Sequence, residues 1–187
     1  MNKLFKTIFI LFVLVVLLPT KEELYSQQYT EYEVKAGYIY NFVKFVTWPE
    51  SCFSSSTSPF VIGVYGMDMF GDIIKRTIRN NTVGNRAFVV KYYNKPSQIQ
   101  QCHILFVGGI PKSEMIELIR AVRNKPILTI GDQLEGFCQI GGIINFAPQY
   151  SRNRFEINNT TAKNNEIIIS SKLLSLAKIV TINEVEF

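Results

Sequence analysis

Four short apolar runs, three of them closed by glycine, constrain this chain more than any other feature. They are Phe60 to Tyr65 before Gly66, Ala87 to Tyr92, His103 to Val107 before Gly108-Gly109, and Ile127 to Ile130 before Gly131-Asp132. Each is bounded by turn residues and rich in Val, Ile, Phe or Tyr, which is the pattern of a buried strand. Helix-periodic segments follow two of them. Phe70, Ile73, Ile74 and Ile78 share one helical face, and Met115, Leu118, Ile119 and Val122 share another. Asp68 and Ser113 stand where side-chain caps would open those helices. Pro96-Ser97-Gln98-Ile99 reads as a short helical turn. Strands alternating with helices predict βαβ units and a mostly parallel sheet. Apolar runs without alternation predict helices on both faces, so the expected class is a three-layer α/β fold.

The C-terminal third changes pattern. Gly141 to Phe146 and Arg154 to Ile157 read as strands joined by a turn over Pro148 to Asn153, an expected antiparallel hairpin. Thr160 to Asn164 reads as a short helix, and Ile167 to Ile169 as another extended run. Ser170 or Ser171 then caps an expected final helix that includes Leu173, Leu174, Leu176, Ala177 and Val180.

The N-terminal end carries two further segments. Lys3 and Lys6 precede an unbroken apolar run of 11 residues, Ile8 to Leu18, ended by Pro19. That run is short for a bilayer span, and the pattern is that of an export signal, expected over residues 1–26 with one domain over 27–187. The stretch from Glu33 to Trp48 is aromatic-rich and helix-periodic, with Pro49 as the expected stop. Val34, Tyr38, Phe42, Phe45 and Val46 define its expected apolar face, widened by Ile39 and Val43. Glu33, Asn41 and Lys44, with Gly37 between, form a narrow polar stripe. Lys35 lies nearly opposite that stripe. Its stem is expected to pack while its ammonium reaches water at the helix end, or presents a charge to a partner.

The 187 residues fit one domain, with 47% apolar and 19% charged residues. A net charge of +5 without a basic stripe gives no footprint for nucleic acid. There is no glycine-rich nucleotide loop, no Gly-x-Ser-x-Gly elbow, and no Cys-x-x-Cys spacing. His103 is the one histidine, so a nucleophile–base pair does not assemble, and neither an enzyme nor a bound cofactor or metal is expected. Ligands in such sheets bind beyond the carboxyl ends of the strands, which makes Gly66, Asp68, Gly108, Gly109 and Asp132 the candidate ligand positions. Tight turns, a helix cap at Asp68 and a turn at Asp132 account for the same residues. Cys52, Cys102 and Cys138 are the candidates for redox chemistry, and an odd count leaves at least one thiol without an intramolecular partner.

The segment Val34-Lys35-Ala36-x-Tyr38-Ile39-Tyr40-Asn41-Phe42-Val43-Lys44-Phe45-Val46-x-Trp48-Pro49 resembles the opening of the YfiR-like periplasmic proteins. In order follow Val61-Ile62-Gly63-Val64-Tyr65-Gly66, Cys102-His103-Ile104-Leu105-Phe106-Val107, Leu128-Thr129-Ile130-Gly131-Asp132, Phe137-x-x-x-Gly141-Gly142-Ile143-Ile144, Arg154-Phe155-Glu156-Ile157-Asn158 and Ile169-Ser170-Ser171-Lys172-Leu173-Leu174-x-Leu176-Ala177. The resemblance implies an exported, non-enzymatic homodimer. It would bind and repress the periplasmic sensor domain of an inner-membrane diguanylate cyclase, keeping cyclic-di-GMP and biofilm formation low. It also implies disulfide-dependent redox input. Cys102 and Cys138 fall where such proteins commonly carry cysteine, but the second thiol near the Gly-Gly strand is absent from Ile143-Ile144-Asn145-Phe146. Lys35, Asn41 and Lys44 are the expected partner-binding residues. The alternative is a small-ligand module feeding a membrane sensor such as a histidine kinase.

Overall fold

The four apolar runs become neighbouring strands; three of them are largely buried, whereas the run from Phe88 to Tyr93 forms the sheet edge and leaves Val89 and Tyr92 exposed, a departure from the expected burial on both faces. The computed structural model describes residues 21–148 and 154–181. Its elements in chain order are α1 (Lys21–Phe42), β1 (Val46–Thr47), β2 (Phe60–Tyr65), α2 (Asp68–Thr77), β3 (Phe88–Tyr93), β4 (Ile104–Val107), α3 (Lys112–Val122), β5 (Leu128–Asp132), β6 (Ile144–Phe146), β7 (Phe155–Ile157), α4 (Asn159–Asn164), β8 (Ile168–Ile169), α5 (Ser171–Leu174) and β9 (Lys178–Ile179). The main sheet runs β3-β2-β4-β5-β6-β7-β9. Pairing is parallel from β3 through β6, antiparallel between β6 and β7, and parallel again between β7 and β9. The expected α/β class and the C-terminal antiparallel pair are therefore present.

Alternation along the strands divides the core into two layers. Ile62, Val64, Ile104, Phe106, Leu128 and Ile130 face α1 and α2, where they meet Ala36, Ile39, Phe42, Phe70, Ile73 and Ile74. Tyr65, Leu105 and Val107 face the other way, onto Met115, Leu118, Ile119 and Val122 of α3. Aromatic rings tie the first layer together: Phe70 stacks on Phe106 at 3.8 Å between centroids, and Phe42 meets Phe155 edge-on at 5.1 Å.

Several boundaries differ from expectation for local reasons. α1 ends at Phe42, not at Pro49; a 3-10 turn over Val43–Phe45 follows, then β1. Val46 and Thr47 are β-branched, which favours extended backbone, and β8 supplies an antiparallel partner, with Val46 opposite Ile169. α2 begins at Asp68 with Met67 in the cap position, and the side chain of Asp68 lies outside the described residues. α3 begins at Lys112 behind Pro111, so Ser113 is inside the helix and not its cap. The expected final helix stops at Leu174. Lys178 and Ile179 instead extend along β7, where the Val180 amide donates to the Ile157 carbonyl at 2.9 Å. Residues 1–20 and most of the β6–β7 turn, residues 149–153, lie outside the described residues, and α1 runs unbroken through Ser26.

The face that α1 buries is also rotated. Tyr32, Lys35, Ala36, Ile39 and Phe42 are inside, whereas Val34 is 54% exposed. Phe45, expected inside, is also exposed. Phasing the apolar residues without Lys35 turned the helix away from its true contact face. Ile39→Ala is expected to cost about 2–5 kcal/mol. Val34→Ala is expected to change stability by less than about 0.5 kcal/mol. Urea denaturation of both variants checks the assignment, and equal losses would restore the other phase.

Candidate functional site

Lys35 is carried to the end of β5 by the buried face of α1. Its Nζ lies 2.5 Å from Asp132 Oδ1 and 2.5 Å from Glu31 Oε1. The side chains of Lys35 and Asp132 are 7% and 5% exposed, so the pair is inside the protein. Glu31 sits one helical turn before Lys35, the spacing at which helix residues meet. Tyr32 hydrogen-bonds Asp132, and its ring centroid is 5.0 Å from the ammonium. Gln133 closes the cluster from outside, donating from Nε2 to Glu31 Oε1 at 2.9 Å. It does so from a backbone with φ +54°, the left-handed region that favours glycine.

Two carboxylates around one ammonium explain the electrostatics. Burial by itself lowers the affinity of Lys35 for its proton, but bonds to Asp132 and Glu31 outweigh it and hold the group above its ordinary 10.5. Burial pushes the Asp132 carboxyl up from its ordinary value, Glu31 adds to the push, and Lys35 opposes it. An ammonium and carboxylate so enclosed bind each other, and here they fasten α1 to the sheet.

The candidate ligand positions come together only in part. Gly66, Gly108 and Asp132 do converge at neighbouring strand ends. A Cβ at Gly108 would stand 3.1 Å from Met67 Cε and 3.3 Å from Asp132 Cβ. Gly66 has φ +80°, and a Cβ there would strike the carbonyl oxygen of Gly108. Its lack of a side chain thus serves the close approach of two turns. Gly109, with φ +67°, continues the same turn and is exposed. Asp132 is directed at Lys35.

The expected partner residues separate. Asn41 and Lys44 lie on the exposed stripe, with Lys44 Nζ donating to Asn41 Oδ1 at 3.1 Å and lying 4.1 Å from the Tyr40 ring centroid. Lys35 does not reach the surface, since its charge is satisfied inside. Reasoning from the sequence did not connect Lys35 with Asp132, 97 residues away. The available signal was a lysine on a face otherwise shared with Ile39 and Phe42, because a buried cation requires an anion. Glu31 was also missed, its only signal being a position four residues before Lys35, and Gln133 gave no signal.

The three cysteines are free thiols. Cys102 Sγ donates to the Ile104 carbonyl at 2.7 Å, and burial pushes its pKa up to about 12. Burial, reinforced by Glu156, pushes the Cys138 thiol up as well. Cys52 is half-buried, and burial with a smaller contribution from Glu166 raises it. Thiols kept protonated in this way react slowly in disulfide exchange.

Fold and site together define a doubly wound α/β domain whose N-terminal helix is latched across the sheet, leaving a polar helix stripe outside. The YfiR/HmsC-like family model matches residues 32–178, and the chain belongs to that family, a regulatory family of periplasmic proteins. No curated protein matches the chain.

Replacing Lys35 by Met leaves Asp132 and Glu31 facing each other without a cation, and is expected to cost about 3–5 kcal/mol. The double variant Lys35→Met, Asp132→Leu is expected to lose less than the single one, because it removes the stranded charge as well. The alkaline limb supplies a second check. Since the folded-state pKa of Lys35 is raised, its contribution is complete below 10.5 and is lost as pH rises through the folded value. Thermal unfolding from pH 8 to 12 should therefore show a steeper loss in the wild type than in Lys35→Met.

Proposed function

We propose that this protein is exported and acts by contact, binding and repressing the periplasmic sensor domain of an inner-membrane diguanylate cyclase. Family membership is the observation that carries the reading. Repression keeps cyclic-di-GMP, and with it biofilm formation, low. The working form is a homodimer, and the partner meets the outer stripe of α1.

One feature of that stripe supports the reading. Gly37 lies inside α1 between Glu33 and Asn41, and a Cβ built on it meets nothing within 4 Å. A helix-interior glycine costs about 0.5–1 kcal/mol relative to alanine. Packing among the described residues does not require one here, and a glycine leaves room for close approach of a second chain. The ligand-module alternative is weaker at the strand ends, since Asp132 is engaged by Lys35 and Gly66 packs on Gly108.

Two measurements test the proposal. Capture from detergent-solubilised membranes should recover an inner-membrane cyclase, and deletion should raise cyclic-di-GMP. Recovery of no membrane sensor together with unchanged cyclic-di-GMP would sink the reading. Lys44→Glu and Gly37→Ala then locate the contact. Both should weaken capture at least about tenfold, the equivalent of about 1.4 kcal/mol, while Gly37→Ala should stabilise the free protein by about 0.5–1 kcal/mol. Normal capture by both variants would move the interface elsewhere.

A further inference from the structure

The chain has one histidine and one tryptophan, and the structure brings them into contact at the amino end of the sheet. Trp48 Nε1 donates to the backbone carbonyl of His103 at 3.1 Å. The His103 ring is pinned through both nitrogens. Nδ1 accepts from the Val61 amide at 2.9 Å, so that nitrogen carries a lone pair. The proton therefore sits on Nε2, which donates to the Cys52 carbonyl at 3.1 Å. The ring stacks on Phe53 at 4.5 Å with 13° between planes, and meets Phe60 edge-on at 5.6 Å.

These contacts hold down the serine-rich loop from Ser51 to Pro59. Arg86 holds it from the other side. Its Nη1 donates to the Ser55 and Ser58 carbonyls, each at 2.8 Å, and its guanidinium lies 3.8 Å from the centroid of Phe53. The loop walls a cavity of about 540 Å³ whose other sides include Gln100, Gln101 and Lys125.

We propose that His103 is an acid-operated latch on the 51–59 loop: a second proton on its ring turns the Val61 contact into donor against donor, and the loop lifts, opening the cavity and uncovering Cys52. No covalent step is involved. The proton comes from solvent and rests on Nδ1, and the Val61 amide loses its acceptor. The surrounding charges favour release. Arg86 lies beyond Phe53 and opposes the new charge, and Lys125 lines the same cavity. The other titratable groups lining this cavity are the Cys52 and Cys102 thiols, with Glu166 beside Cys52.

Burial, with Arg86 adding to it, lowers the pKa of His103 from its ordinary 6.5, against the pull of the Cys52 carbonyl. The sign follows from linkage. The closed loop has its full stability above 6.5, where the ring is neutral in both states. That stability is lost as pH falls from 6.5 to the lower closed-state value, below which both states are protonated and the loss is complete. The latch is independent of any partner, so its failure would leave the proposed repression untouched.

The purified wild-type chain provides the test. The single imidazole is titrated by NMR from pH 8 to 4. Trp48 emission is followed in parallel, as is the reaction of Cys52 with a dithiodipyridine reagent, located by peptide mapping and divided by the unfolded-chain rate at each pH. The Cys52 rate should climb about tenfold for each pH unit below 6.5 and level off at the imidazole midpoint. Trp48 emission should shift at that same midpoint. In His103→Gln, whose amide can accept and donate without titrating, both signals should stay flat. Protonation of His103 with unchanged Trp48 and Cys52 signals would overturn the proposal, as would an imidazole midpoint at or above 6.5, or an acid response retained by the variant. Should the variant not fold, coincidence of the three wild-type profiles decides the matter.

Discussion

The ion pair between Lys35 and Asp132 is the contact on which the rest of the arrangement depends. It joins the N-terminal helix to the fifth strand in a place where neither charge has water as an alternative partner. Enclosure makes the pair costly to form, and costlier to half-remove. Its value lies in specificity of placement. An apolar helix face slides and rotates over an apolar sheet at small cost, whereas an ammonium between two carboxylates has one position. The rotation of α1 that puts Val34 outside and Ala36 inside, and hence turns Asn41 and Lys44 to solvent, follows from where Lys35 must go.

What could be read in advance divides along the same physical line. The strands β2 to β5 were legible because each is a short apolar run with turn residues at its ends, and tertiary structure only had to supply neighbours. The aromatic helix was legible as a helix, but not in its phase or its end. Lys35 looks like surface when charge is taken as a proxy for exposure, and the β-branched pair Val46-Thr47 finds its strand partner, Ile168-Ile169, more than a hundred residues away. Of the strands of two residues, β8 was legible as the extended run Ile167 to Ile169, whereas β1 and β9 were hidden inside expected helices and are fixed by pairing. The site was half legible: the glycines and Asp132 stood out as strand ends, but the tie from Asp132 to Lys35 is a long-range fact that no local window contains.

The two ends of the sheet have different characters. At the carboxyl ends, glycine turns pack against each other and an ion pair fixes the helix. At the amino ends, a neutral imidazole, a tryptophan and a serine-rich loop meet around a cavity.

The distance along the chain between Lys35 and Asp132 also governs the order of assembly. A chain that emerges amino end first delivers the lysine 97 residues ahead of its aspartate. Until β5 has joined its parallel neighbours there is no anion to receive the ammonium from the sheet, and the apolar face of α1 has no settled place to dock. Parallel pairing is itself slow, because its contacts are remote in sequence and each must first close a long loop. Until then the helix face that carries Ala36, Ile39 and Phe42 is uncovered, the kind of transiently exposed apolar surface that makes folding intermediates prone to aggregate.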